Sequence, residues 1–183
     1  MVTADSCAYV EDYAAPIFKK NASCRAVYEY AKEHLPQYSK VFLAMRWGSQ
    51  MPENSYSLAY DADFFKKFDL MLQKLSSEKQ AVYLMLDNPN LSYNGLRAYI
   101  LSYRIPGFNQ NLVIDEQNTF KGNERIKKLA EKYANVYIID AAAYIPQNFK
   151  INGLPVYSDR DHINPYGGRE LAKRFSEKHT LLQ

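Results

Sequence analysis

Three histidines, His34, His162 and His179, are available in the 183 residues to act as a general base. His34 sits mid-pattern in a helix beside Glu33, and His179 lies four residues from the C-terminus. A helix-terminal cation or a frayed tail accounts for such positions without any chemistry. His162 differs: it closes the segment Tyr157-Ser-Asp-Arg-Asp-His162, directly after Asp161 and three residues after Asp159. A catalytic imidazole needs one nitrogen free to take a proton from a nucleophile and the other held by a carboxylate, which fixes the tautomer and stabilises the imidazolium. In a tight turn Asp159 can reach round to His162, so the spacing meets that need. A polar surface turn with an incidental histidine is the plain structural alternative. Asp159, Asp161 and His162 also suit a divalent cation, but no second His-rich or Asp-rich motif sits at a strand end, and the expectation is no metal.

Other reactive positions are few. Ser6, in Ala4-Asp-Ser6, is the candidate nucleophile, although the five residues before it are too few for a buried central strand of ordinary length. Cys7 and Cys24 lie 17 apart and form no C-x-x-C pair, which disfavours zinc and thioredoxin-like chemistry. They read as either a disulfide or two free thiols, the disulfide requiring an oxidising compartment. Arg46 and Trp47 end an apolar run, where an arginine or a backbone N–H could stabilise an oxyanion or touch substrate. Packing by Trp47 and a structural ion pair by Arg46 are the alternative.

Elements must hold these residues in place. Lys40–Arg46, Ala81–Leu86 and Asn135–Asp140 are short continuous apolar runs and predict strands of a sheet covered on both faces. Helical patterns fill the intervals: Cys24 to Leu35, about Asp61 to Leu75, and Asn123 to Tyr133. An extended piece, Leu154–Tyr157, leads into the Asp-rich turn, and a helix follows from Pro165 to about Lys178, with Asn164 as its N-cap. Alternating strands and helices predict an α/β three-layer sandwich with a mainly parallel sheet, whose sites gather at the carboxyl ends of the strands. Asn88 to Gly122 reads as a long excursion with a short helix at Leu96 to Tyr103. One domain, 1–183, is expected.

Composition excludes several classes. Hydrophobic residues are 47% and charged residues 23%, the balance of an ordinary globular chain. The net charge of +3 comes from interleaved acids and bases, which argues against nucleic-acid binding. The apolar runs are far shorter than the roughly 20 residues of a spanning helix, and the N-terminal residues do not read as a secretory signal. The 16 tyrosines suit cores and sugar-facing surfaces equally.

Three stretches together resemble a known family. Tyr157-Ser-Asp-Arg-Asp-His-Ile-Asn-Pro-Tyr-Gly-Gly168 resembles the last block of SGNH hydrolases, an Asp-x-x-His before the final helix. Val41-Phe-Leu-Ala-Met-Arg-Trp47 resembles the Arg-Trp strand of the SGNH domains attached to acyltransferase-three membrane proteins, and Asn135-Val-Tyr-Ile-Ile-Asp140 is similar to the strand leading to their Asp-His block. The resemblance implies an SGNH/flavodoxin-like fold and acetyl transfer to or from a bacterial surface carbohydrate such as lipopolysaccharide. It implies a Ser-His-Asp mechanism needing no cofactor, with His162 as base and Asp159 as its carboxylate. It also implies a bonded Cys7–Cys24 pair, a membrane acyltransferase domain in the same parent, and a position on the periplasmic face of the inner membrane. The family's Gly-Asp-Ser nucleophile block, first strand and first helix are expected to be missing here. A non-catalytic or truncated module that binds glycan is the alternative.

Overall fold

In the computed structural model the described residues are 9–11, 13, 22–45, 47, 62–108 and 111–179, with 62 and 116–121 described in backbone only. Ser6, Cys7 and Arg46 lie outside them. In chain order the elements are α1 (Ala22–His34), β1 (Lys40–Ala44), α2 (Ala62–Glu78), β2 (Ala81–Met85), α3 (Gly95–Arg104), α4 (Glu116–Ala130), β3 (Val136–Ile139), β4 (Lys150–Ile151), β5 (Leu154–Pro155) and α5 (Pro165–Ser176). The chain divides into two compact units, residues 1–87 with 121–139 and residues 88–120 with 140–183.

The first unit carries a parallel sheet in the order β1-β2-β3, with Val41 opposite Val82 and Val82 opposite Val136. Parallel neighbours require crossover connections, which the intervening helices supply. The apolar stripe of α2, Phe64, Phe68, Leu72 and Leu75, packs with Ile126 and Ala130 of α4 on Val41, Leu43, Val82, Leu84 and Val136. Each of these side chains is withdrawn from water, which is the main stabilising contribution. The other face carries an aromatic stack across the three strands: Phe42 on Tyr83 at 4.5 Å and Tyr83 on Tyr137 at 5.4 Å. Phe42 and Tyr137 remain 50% and 47% exposed, so the apolar runs that predict cover on both faces have one face only partly covered. Cys24 on α1 is buried and disulfide-bonded.

The helix boundaries follow local chemistry. α4 begins at Glu116, before the expected Asn123, whereas α5 starts where its capping residues place it: Asn164 Oδ1 accepts from Gly167 N–H at 2.7 Å with Pro165 at the first position.

In the second unit β4 and β5 form a two-residue hairpin that the strand pattern does not announce. Asn152 and Gly153 turn it with φ of 49° and 79°, the left-handed pair that an Asn-Gly turn favours. A small core of Leu91, Phe149, Ile151, Val156, Tyr157 and Leu171 underlies it. Gly167 lets α5 come against the Val156 carbonyl, where any Cβ would collide.

Candidate active site

Asp159 and His162 are brought together inside the second unit. The imidazole Nδ1 lies 2.8 Å from Asp159 Oδ2, while Asp159 Oδ1 accepts the backbone N–H of Asp161 at 3.0 Å and of His162 at 2.8 Å. The carboxylate is thereby locked by the loop it belongs to. Burial opposes its ionisation, but the two N–H bonds and the His162 ring outweigh that penalty and hold its pKa down at about 2. A carboxylate ionised at neutral pH can only accept, so the proton between the two groups resides on Nδ1, and in the neutral imidazole tautomer this selects, Nε2 is the acceptor. The ring is 71% exposed, and Nε2 has no hydrogen-bond partner among the described residues.

The spacing of Asp159 and His162 says nothing about what steadies the turn. That task falls to the excursion at residues 88–120. Leu91 N–H donates to the Arg160 carbonyl at 2.7 Å, and Gly95 N–H donates to the Asp159 carbonyl at 2.9 Å. Arg160 returns two bonds, Nε to the Leu91 carbonyl at 3.0 Å and Nη2 to Asp115 Oδ2 at 3.3 Å. Tyr157, fully buried, donates its hydroxyl to the Pro89 carbonyl at 2.8 Å. Burial, and next the charge of Asp161, push its phenol up, so it stays a donor. Ser158 closes the turn, its N–H and Oγ both donating to the His162 carbonyl, at 2.9 and 3.0 Å. Gly95 packs tightly here, since a Cβ would stand 3.0 Å from that of Tyr157 and crowd it.

A second carboxylate, Asp161, has Oδ1 3.2 Å from the same Nδ1. Asp159, Asp161 and His162 thus form a set whose donor atoms fall within 4.8 Å of one another, the arrangement a divalent ion would need. Their donors are already engaged with one another: Nδ1 faces both carboxylates, and Asp159 Oδ1 takes two N–H groups. A metal would have to displace this network, so the residues fit a histidine–carboxylate pair better than a metal centre.

The other histidines serve locally. His34 Nδ1 bonds the Tyr30 carbonyl at 2.9 Å and stacks on Tyr30, and His179 Nε2 bonds Tyr144 Oη at 2.6 Å beside Phe175.

At the carboxyl ends of β1 and β2, in the first unit, lies a different cluster. The Trp47 backbone N–H and Nε1 donate to Asp87 Oδ2 and to the Met85 carbonyl, each at 2.6 Å. Asn123 accepts from Asp87 N–H and donates to the Asp87 carbonyl, both at 3.0 Å. Trp47 is 0% exposed and Asn123 4%. The indole is therefore a core side chain, and its substrate-contact reading gives way to packing. Asn123 escapes sequence reading because it looks like any polar residue on a helix. Gly122 beside it is the available signal: its missing Cβ allows α4 to meet the Trp47 carbonyl.

Comparison with known proteins bears on both units. The family described as the SGNH domain fused to AT3 domains matches residues 1–177. A search of curated proteins finds no match. Among solved structures, the periplasmic domain of a lipopolysaccharide acetyltransferase from Salmonella ser. Paratyphi A has a similar fold, with a TM-score of 0.57 at 11% identity. The match covers 87% of this chain and 64% of that domain.

Proposed function

Because the chain belongs to the SGNH domain family fused to AT3 domains, we propose that it serves acyl transfer, as part of an O-acyltransferase or acyl esterase acting on a bacterial surface carbohydrate. The observation that carries this reading is the 2.8 Å contact between Asp159 Oδ2 and His162 Nδ1, with the carboxylate anchored and Nε2 directed to solvent. A serine hydroxyl gives its proton to Nε2 as its oxygen attacks the acyl carbonyl. The leaving alcohol takes that proton as the tetrahedral intermediate collapses. The acyl-serine is then discharged when Nε2 accepts the proton of the incoming hydroxyl, from water in an esterase or from a sugar in a transferase. Asp159 holds the ring and stabilises its positive charge throughout.

Polysaccharide as acceptor, the periplasm as compartment and an AT3 membrane domain as partner in the same protein are supported by the family description and by the role of the Salmonella domain. No helix among the described residues is long and apolar enough to cross a membrane, which fits a domain presented by a separate membrane part.

Hydrolysis of an aryl acetate tests the reading. His162→Ala is expected to lower the rate by about 10³-fold or more, the scale of losing a triad base. Ser6→Ala identifies the nucleophile: loss of activity assigns it to Ser6, and retained activity assigns it to another serine. A His162→Ala protein as active as the parent would overturn the proposal.

A further inference from the structure

The second unit contains a cavity of about 400 Å³ to which acyl transfer assigns no role. Gly95 and Tyr157 line it, and the same two residues anchor the Asp159 turn from behind, through the Gly95 N–H and the Tyr157 hydroxyl. Its lining includes apolar side chains together with Tyr99, Asn111, Gln147 and Lys150. Among the described residues no Asp or Glu lines it, and Lys150 supplies its positive charge. The Lys150 ammonium stands 5.5 Å from the centre of the Tyr99 ring and has no carboxylate partner among the described residues. The wall is held under backbone strain: Phe149, buried and bulky, sits at φ 55°, pinned by its N–H to the Pro146 carbonyl at 2.8 Å and by Val156 N–H to its own carbonyl at 2.9 Å. Strain of this kind in a bulky residue collects at ligand sites, where the surrounding fold enforces it.

The chemistry of the lining selects a ligand class. Primary amides offer a donor and an acceptor side by side, which matches neighbouring hydroxyls on a sugar ring. A tyrosine face packs against the C–H surface of such a ring. A lone ammonium without an internal counter-charge favours an anion, and one point charge suits a single carboxylate better than a phosphate cluster, which calls for several donors. From these features we infer that the cavity binds one carboxylate-bearing sugar unit of a glycan. Its place in the enzyme rests on the carbohydrate reading above, while the binding itself is independent of catalysis.

Titration of the protein with methyl glucuronoside and methyl glucoside, followed through backbone amide resonances, tests this directly. The glucuronoside should saturate and shift the resonances of Gly95, Tyr99 and Lys150, with the glucoside about tenfold weaker, the worth of one charge-assisted hydrogen bond. Lys150→Met should bring the glucuronoside down to the level of the glucoside, and Tyr99→Ala should weaken both sugars. No shift at these residues with either sugar would overturn the inference, as would equal binding of the two or binding indifferent to Lys150→Met. His162→Ala should retain glucuronoside binding while losing acyl chemistry. Binding retained alongside unimpaired activity in that variant would remove the catalytic reading and leave the cavity standing. Activity lost with no sugar bound by the parent would do the reverse.

Discussion

The two units use polar residues in opposite ways. At the strand ends of the first unit, the buried Trp47 and Asn123 both bond the half-buried Asp87, Trp47 through its backbone N–H and Asn123 through its side-chain amide. In the second unit the Asp159 carboxylate is equally engaged, yet it presents a histidine that is mostly in water with one nitrogen uncommitted. Burial with mutual satisfaction stabilises a fold, because an unpaired buried group is costly. An exposed, oriented ring adds little stability and is available for proton transfer. Among the described residues, the strand ends of the first unit carry this hydrogen-bonded cluster around Trp47.

Substitutions can break that contrast. The largest expected effect is that of His162→Ala on activity, about 10³-fold or more with a melting temperature near that of the parent, since an exposed side chain away from the core is worth within about 0.5 kcal/mol. A melting temperature that fell with the activity would make His162 structural and erase the difference. Next comes Trp47→Ala, which should cost about 3–5 kcal/mol in urea unfolding through the cavity it leaves. A loss below about 1 kcal/mol would mean that the indole is not the packed core residue described.

Asn123→Ala should cost about 1–3 kcal/mol, because it strands the N–H and carbonyl of Asp87. Activity in folded Asn123→Ala protein should survive, and a specific loss of turnover would place the first unit's cluster in the chemistry. The smallest effect is in pH dependence. The Asp159 pKa is lowered from 3.8 to about 2, so the carboxylate's contribution to stability is full above pH 3.8 and disappears as the pH falls through about 2. Acid unfolding of Asp159→Asn should lack that component, measured as a shallower fall in stability between pH 4 and pH 2; an identical profile would mean the anchoring bonds do not favour the ionised form.

Local chemistry was readable from the residues alone. Asn164-Pro165 marks the start of α5, the apolar runs give all three strands of the sheet, and the Asp159–His162 spacing marks a histidine with a carboxylate within reach. These features depend on neighbours a few positions apart, where periodicity and capping operate. The β4–β5 hairpin went unread because its strands are two residues each, too short for any periodicity, although Asn152-Gly153 is a strong turn signal. The chain's order of residues also determined the α/β class and a short list of candidate reactive groups.

Tertiary structure decided the rest. The excursion after Asn88 became the support of the Asp159 turn through bonds such as Tyr157 to Pro89 and Arg160 to Leu91, between residues 68 and 69 positions apart. Trp47 became core, and Asn123 became its partner through Asp87, because burial and satisfaction depend on what the fold brings alongside each group. Sequence spacing fixes which groups can meet locally; only long-range packing determines which of them remain exposed to react.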